Sequence, residues 1–184
     1  MTLKVLTLAT LFPDSIRPRL GPFVERQTLE LAAHPDVELK VVAPVGLPPF
    51  PLSLHPPYAA RRALPLRETW KGLDVYRPRF LHMPGTQGRF DAALLARAIL
   101  PLLRDIRRDF AFDVIDAEFF FPDGPAAHRL SATLGVPFSV KARGADIHHW
   151  GMQGPTASQV QAAGKAAQGL LAVSSALKAD MVSI

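Results

Sequence analysis

The sequence predicts a Rossmann-like α/β domain, an open parallel sheet with helices on both faces. Two observations predict it. Short runs rich in Val, Leu and Ile alternate along the chain with longer stretches of helical periodicity. The composition, 48% hydrophobic and 20% charged over 184 residues, suits one folded domain with a substantial core.

The first strand is read in Leu3, Val5, Leu6 and Leu8, a continuous apolar run of the kind that parallel strands show when both faces are covered. A loop, FPDSIRPRLG, leads into PFVERQTLELAA, where Pro22 suits a first helical turn and Val24, Thr28, Leu31 and Ala32 share a face. His34-Pro35-Asp36 ends that helix, because the residue before a proline avoids helical backbone. VELKVVAP is a second strand by its β-branched content.

Between Pro44 and Trp70 seven prolines occur, and the expectation is a long irregular excursion. Its apolar tips Phe50, Leu52, Leu54 and Tyr58 lie near Arg61, Arg62 and Arg67, which leaves open packing on the domain or contact with a lipid interface or partner. GLDVYRPRF reads as the third strand. Phe90 to Ile106 reads as a helix with Leu95, Ile99, Leu102 and Ile106 on its inner face and a bend expected at Pro101.

AFDVIDAEF is the next strand. A helix then opens at Asp123-Gly124-Pro125, with Asp123 as its expected N-cap, and closes at Gly135. VPFSVKA follows as a strand and RGAD as the loop after it. Thr156 to Ala167 is a helix, GLLAVS the last strand, and Ser174/Ser175 cap ALKADMVSI.

Several function classes are excluded or weakened by what is missing. With no cysteine, disulfides and thiolate metal sites are excluded, which suits a reducing, cytoplasmic setting. No stretch reaches the roughly 20 apolar residues that cross a bilayer. The net charge of +5 favours phosphate-bearing partners, but the basic residues are scattered, so no nucleic-acid partner is expected. His148 and His149 are adjacent, so their side chains diverge, and no third spaced ligand accompanies them; no metal site is expected.

Ligands of open parallel sheets bind at the carboxyl ends of the strands. That rule selects Arg19 and Gly21 before the first helix, where free backbone amides suit an anion, although the G-x-G-x-x-G fingerprint is absent. It also selects Arg143, Gly144 and Asp146, either as phosphate and hydroxyl ligands or as an Arg–Asp pair bracing the loop. Glu118 and Asp123 flank FFFP and read either as paired carboxylates or, for Asp123, as a cap. No P-loop, G-x-S-x-G or cysteine nucleophile is present, and no residue is assigned a catalytic role.

Taken in order and spacing, LFP, RPRLGPFVERQ, VVAPV, GLDVYRPRF, DVIDAEFFFPDG, VPFSVKARGADI and LLAVSSALKADM resemble the N-terminal half of family 4 glycosyltransferases of the GT-B fold. The resemblance implies a two-domain enzyme that moves a sugar from a nucleotide-sugar donor to a glycan or lipid-linked acceptor with retention at the anomeric carbon. The nucleotide sugar is then a substrate, and no cofactor is implied. Residues 1–184 correspond to the acceptor-side domain, and the donor-side E-x7-E element of the C-terminal domain has no counterpart, so the fragment alone is expected to be inactive. Gly21 falls near the donor phosphates, and Arg143 stands where many members place a histidine beside the transferred sugar. Asp146 matches the acidic position of the G-S/T-D loop, while Asp116 and Glu118 replace histidines at the end of the fourth strand. A basic face permits peripheral contact with the inner membrane surface. Two other readings remain open: half of a sugar-nucleotide epimerase, and a non-enzymatic ligand-binding module.

Overall fold

The computed structural model describes residues 2–183; the expected final element runs on to Ile184, which lies outside the described residues, as does Met1. In chain order the elements are β1 (Leu3–Leu8), α1 (Pro22–Ala32), β2 (Val37–Val42), β3 (Val45–Leu47), a 3-10 turn (Leu52–Leu54), α2 (Pro56–Arg62), β4 (Arg67–Trp70), β5 (Leu73–Tyr76) and β6 (Arg79–Leu81). There follow α3 (Asp91–Asp109), β7 (Val114–Ala117), α4 (Asp123–Leu134), β8 (Phe138–Ala142), a π-helical turn (Asp146–Trp150), α5 (Gly154–Ala166), β9 (Gly169–Ala172) and α6 (Ser175–Ser183).

Seven strands form one sheet in the order β4-β5-β2-β1-β7-β8-β9. All neighbours run parallel except β4, which pairs antiparallel with β5 at one margin. The chain order reverses direction at β1, whose neighbours β2 and β7 lie on opposite sides, and a switch of this kind opens a crevice at the strand ends. Helices cover both faces because successive residues of β2 point to opposite sides: Val41 packs with Val24 of α1, and Val42 joins the larger cluster under α3 and α4. That larger cluster includes Leu95, Ile99 and Leu103 of α3 and Leu130 of α4.

Local signals fix most helix ends. Pro22 sits in the first turn of α1, Gly135 ends α4 with φ +65°, and the Ser174 hydroxyl accepts from the Leu177 amide at 3.1 Å to cap α6. Several expectations are corrected. Asp123 does not cap α4: Pro122 holds that position and the carboxylate of Asp123 turns elsewhere. In α3, Leu103 rather than Leu102 is fully buried, and the helix continues through Pro101, which faces solvent, where water can serve the carbonyl left without a partner.

The Pro44–Trp70 segment is not irregular throughout. It holds β3, the 3-10 turn, α2 and β4, because Pro56 and Pro57 fall in the first turn of α2, where a missing N–H costs nothing. Its tips do not pack on the domain: Phe50 is 79% exposed, Leu52 53% and Leu54 58%, while Tyr58 lies half-buried under the Arg61 guanidinium. The expected third strand divides at Pro78 into β5, in the main sheet, and β6, which pairs in parallel with β3. Just before the break, the buried Arg77 pairs with Glu68 and donates to the Pro13 carbonyl at 2.6 Å.

Candidate functional site

Gly21 ends the β1–α1 loop with φ +59° as the N-cap of α1. A Cβ there would lie 2.0 Å from the Leu11 carbonyl oxygen, so both the backbone and the space demand glycine. No side chain caps this helix start, and its first amides remain available to an anion.

The β8 loop faces this helix. Gly21, Phe23 and Gln27 on one side and Phe119, Arg143, Ala145 and Val173 on the other line a cavity of about 690 Å³ at the carboxyl ends of the strands. The Arg143 guanidinium donates to Gln27 Oε1 at 2.8 Å and to the Glu118 carbonyl at 2.9 Å, and it pairs with the Glu118 carboxylate. Gly21, Glu118 and Arg143 are thereby brought together from three separate elements. Phe23, 78% exposed, and Val173, 63% exposed, give the cavity an apolar rim.

Beneath the cavity lies a buried charge network. Lys141 Nζ donates to Glu118 Oε1 at 2.6 Å and to Asp116, whose other oxygen accepts from the Ser139 hydroxyl at 2.7 Å. One buried lysine and the Arg143 guanidinium thus face two buried carboxylates, an arrangement in which losing one partner is far costlier than the pairs are worth. Glu118 is 1% exposed and paired on both oxygens, so the structure makes it a brace for Arg143 and not an open cleft carboxylate.

Asp146 is also buried. It accepts from the amides of Phe120 at 2.9 Å, Arg143 at 3.0 Å and Gly144 at 2.7 Å. The loop is therefore braced through its backbone and not through an Arg143–Asp146 side-chain pair. Gly144, with φ +127°, supplies the turn these bonds need.

Asp123 does not join Glu118 as an open carboxylate pair. It is wholly buried and accepts from the Thr10 amide at 3.1 and 3.3 Å, tying the end of β1 to the start of α4. Burial pushes its carboxyl up to about 8, the charges of Glu118 and Asp146 add to the rise, and the Thr10 hydrogen bonds oppose it. Arg19 is exposed, without an ion pair among the described residues. Its neighbour Arg17 is the ordered one, held on Asp14 at 2.6 Å; burial would raise the Asp14 carboxyl, but the Arg17 bonds outweigh it and hold it below its usual range.

Sequence reasoning missed Gln27, Phe119 and Val173, which the fold alone brings to the cavity. Gln27 was legible in principle: it lies six positions after Gly21, one and two-thirds helical turns along α1. His148 bonds Asp180 at 2.9 Å, and His149 meets Gln153 at 2.7 Å. Among the described residues, no three His, Cys, Asp or Glu side chains are grouped to hold a metal ion. Among them too, no helix is long and apolar enough to cross a membrane.

No family model matches the chain. It is 29% identical over 148 residues, 79% of its length, to TuaC of Bacillus subtilis (strain 168), provisionally named a teichuronic acid biosynthesis glycosyltransferase. Among solved structures it is similar to the UDP-GlcNAc 2-epimerase of Neisseria meningitidis bound to UDP-GlcNAc, with TM-score 0.60 and 16% identity over 98% of the chain. It is likewise similar to UGT89C1 of Arabidopsis thaliana complexed with UDP, with TM-score 0.55 and 17% identity over 99% of the chain. The chain spans 37% of TuaC, 43% of the epimerase and 48% of the plant protein. The fold is accordingly a Rossmann-like α/β domain, shared with these solved structures.

Proposed function

We propose that the chain is the acceptor-side, N-terminal half of a retaining glycosyltransferase that moves a sugar from a nucleotide-sugar donor to a glycan or lipid-linked acceptor. The observation that carries this reading is the opposition of two devices across one cavity at the strand ends. Gly21 and the uncapped start of α1 present amides suited to a phosphate, and Arg143 is held over the same space by Glu118 and Gln27. The relative named as a glycosyltransferase, and neighbours bound to UDP or UDP-GlcNAc, support the choice of a nucleotide sugar.

In this reading the apolar rim at Phe23 and Val173 meets a second, donor-holding domain that completes the crevice. The chain's own groups bind and orient: α1 neutralises phosphate charge, Arg143 fixes the transferred sugar, and the buried Lys141 network keeps that guanidinium in place. Front-face displacement, with the leaving phosphate taking the acceptor's proton, asks no nucleophile of this half. The exposed tips of the 44–66 segment, in a stretch with no acidic residue between Glu38 and Glu68, rest on an anionic membrane surface.

Product analysis of the full-length protein with UDP-sugars, with and without acceptor glycans, tests the proposal. Transfer that requires an acceptor is expected; inversion at C2 of UDP-GlcNAc without acceptor favours the epimerase reading, which the similar fold of the Neisseria meningitidis epimerase motivates.

A further inference from the structure

A second polar cavity, of about 200 Å³, opens on the other side of the end of β1. Its walls include Arg17, Gly46, Arg61, His82 and Asp91, none of which belongs to the Gly21–Arg143 cavity. Arg17 spends Nε and Nη2 on Asp14, leaving Nη1 without a partner among the described residues. Arg61, on the short helix α2, meets no carboxylate among them, and its guanidinium lies over the Tyr58 ring. His82 Nδ1 lies 2.9 Å from Asp91 Oδ2, which leaves Nε2 open, and Asp91, 6% exposed, has no partner for its Oδ1. Gly46 keeps the space clear, since a Cβ there would lie 3.0 Å from the Phe80 ring and 3.3 Å from His82 Cβ.

A buried carboxylate with unused accepting capacity is expensive, and the cavity wall offers donors for an anion, namely the Arg61 guanidinium, which has no carboxylate partner among the described residues, and the Nη1 that Arg17 leaves free beside its pair with Asp14. The imidazole beside them, oriented by Asp91, can exchange hydrogen bonds with a hydroxyl. A compact ligand that carries both an anionic group and hydroxyls satisfies the set, and the volume suits one sugar ring more than an oligosaccharide.

We propose that this cavity binds an acidic sugar, a monosaccharide unit bearing a phosphate or carboxylate. The anion sits between Arg17 and Arg61, and a ring hydroxyl meets His82, with Asp91 as the positioning residue. The inference rests on the transferase reading only in calling this unit part of the acceptor.

The test is an amide-resolved NMR titration of the 184-residue chain with glucose 1-phosphate, glucuronate, glucose and inorganic phosphate. Perturbations are expected at Gly46, His82 and Asp91, with at least one acidic sugar binding about tenfold more tightly than glucose. The tighter of the two acidic sugars identifies the anion. Arg61→Ala and His82→Ala, both on partly exposed side chains, should each weaken that sugar about tenfold, and Arg61→Lys should restore part of the loss. Equal affinity for glucose, inorganic phosphate binding as tightly as glucose 1-phosphate, perturbation centred on Gly21 and Ala145, or no perturbation by either acidic sugar would overturn the proposal. Because the titration needs neither donor nor turnover, its failure leaves the transferase reading standing, and failure of transfer leaves the cavity standing.

Discussion

The Arg143 guanidinium closes on Glu118 twice, once on its backbone carbonyl at 2.9 Å and once on its carboxylate. Two separate strand ends are thereby locked to one another through a single side chain. Arg143→Ala in the full-length protein is expected to lower sugar transfer by about 100-fold and to lower the melting temperature too, since the buried Glu118 loses one of its two cations; Arg143→Lys should restore stability more than transfer, lacking the fork. Asp146→Ala, which strips acceptors from three amides, should cost about 2–4 kcal/mol in a urea melt.

Gly21 leaves no room for a side chain. Gly21→Ala should destabilise the chain by about 2–4 kcal/mol, since the substitution combines a left-handed backbone with a clash against Leu11. Urea unfolding checks this, and a variant as stable as the parent would mean that the loop adopts another course.

The Asp123 carboxyl, raised by burial to about 8 from an unfolded value near 3.8, binds a proton in the folded chain that the unfolded chain has released at neutral pH. Its contribution to stability is therefore full below about pH 4, declines as pH rises towards 8, and changes no further above that. The slope between is at most about 1.4 kcal/mol per pH unit. Asp123→Asn should lose this decline, so that its stability relative to the parent improves steadily between pH 5 and pH 8. Denaturant melts at three pH values would show a constant difference if the carboxyl were already ionised.

Phe50, Leu52 and Leu54 are each more than half exposed. Flotation with vesicles containing anionic lipid should carry the chain upward at low salt, and the triple serine variant should lose most of that binding, with neutral vesicles recovering neither.

Local chemistry was legible in the sequence where one or two residues decide the backbone. Pro22, Gly135 and Ser174 mark helix ends by their own geometry, and the apolar run of β1 announces a strand covered on both faces. That Gly21 and Arg143 line one cavity was also legible, because strand ends converge whatever the loops do. What stayed hidden depends on long-range pairing. Glu118 and Asp123 look alike in sequence, yet one is neutralised by Lys141 and Arg143 and the other is isolated against Thr10. The prolines of the 44–70 segment look like an irregular excursion until Pro56 and Pro57 are seen to sit where a helix begins. His82 and Asp91 carried no signal, because only the tertiary packing of α3 against β6 brings the two side chains together.

The margins of the sheet are unequal. At one, β4 runs antiparallel, and its Arg67 is engaged with Asp74, which discourages a stray strand from adding there. At the other, β9 is a four-residue strand whose Leu170 and Leu171 remain about half exposed. Self-association of the concentrated chain should therefore begin at β9. A lysine at position 171 should slow the growth of light scattering, whereas one at Thr69 should leave it unchanged.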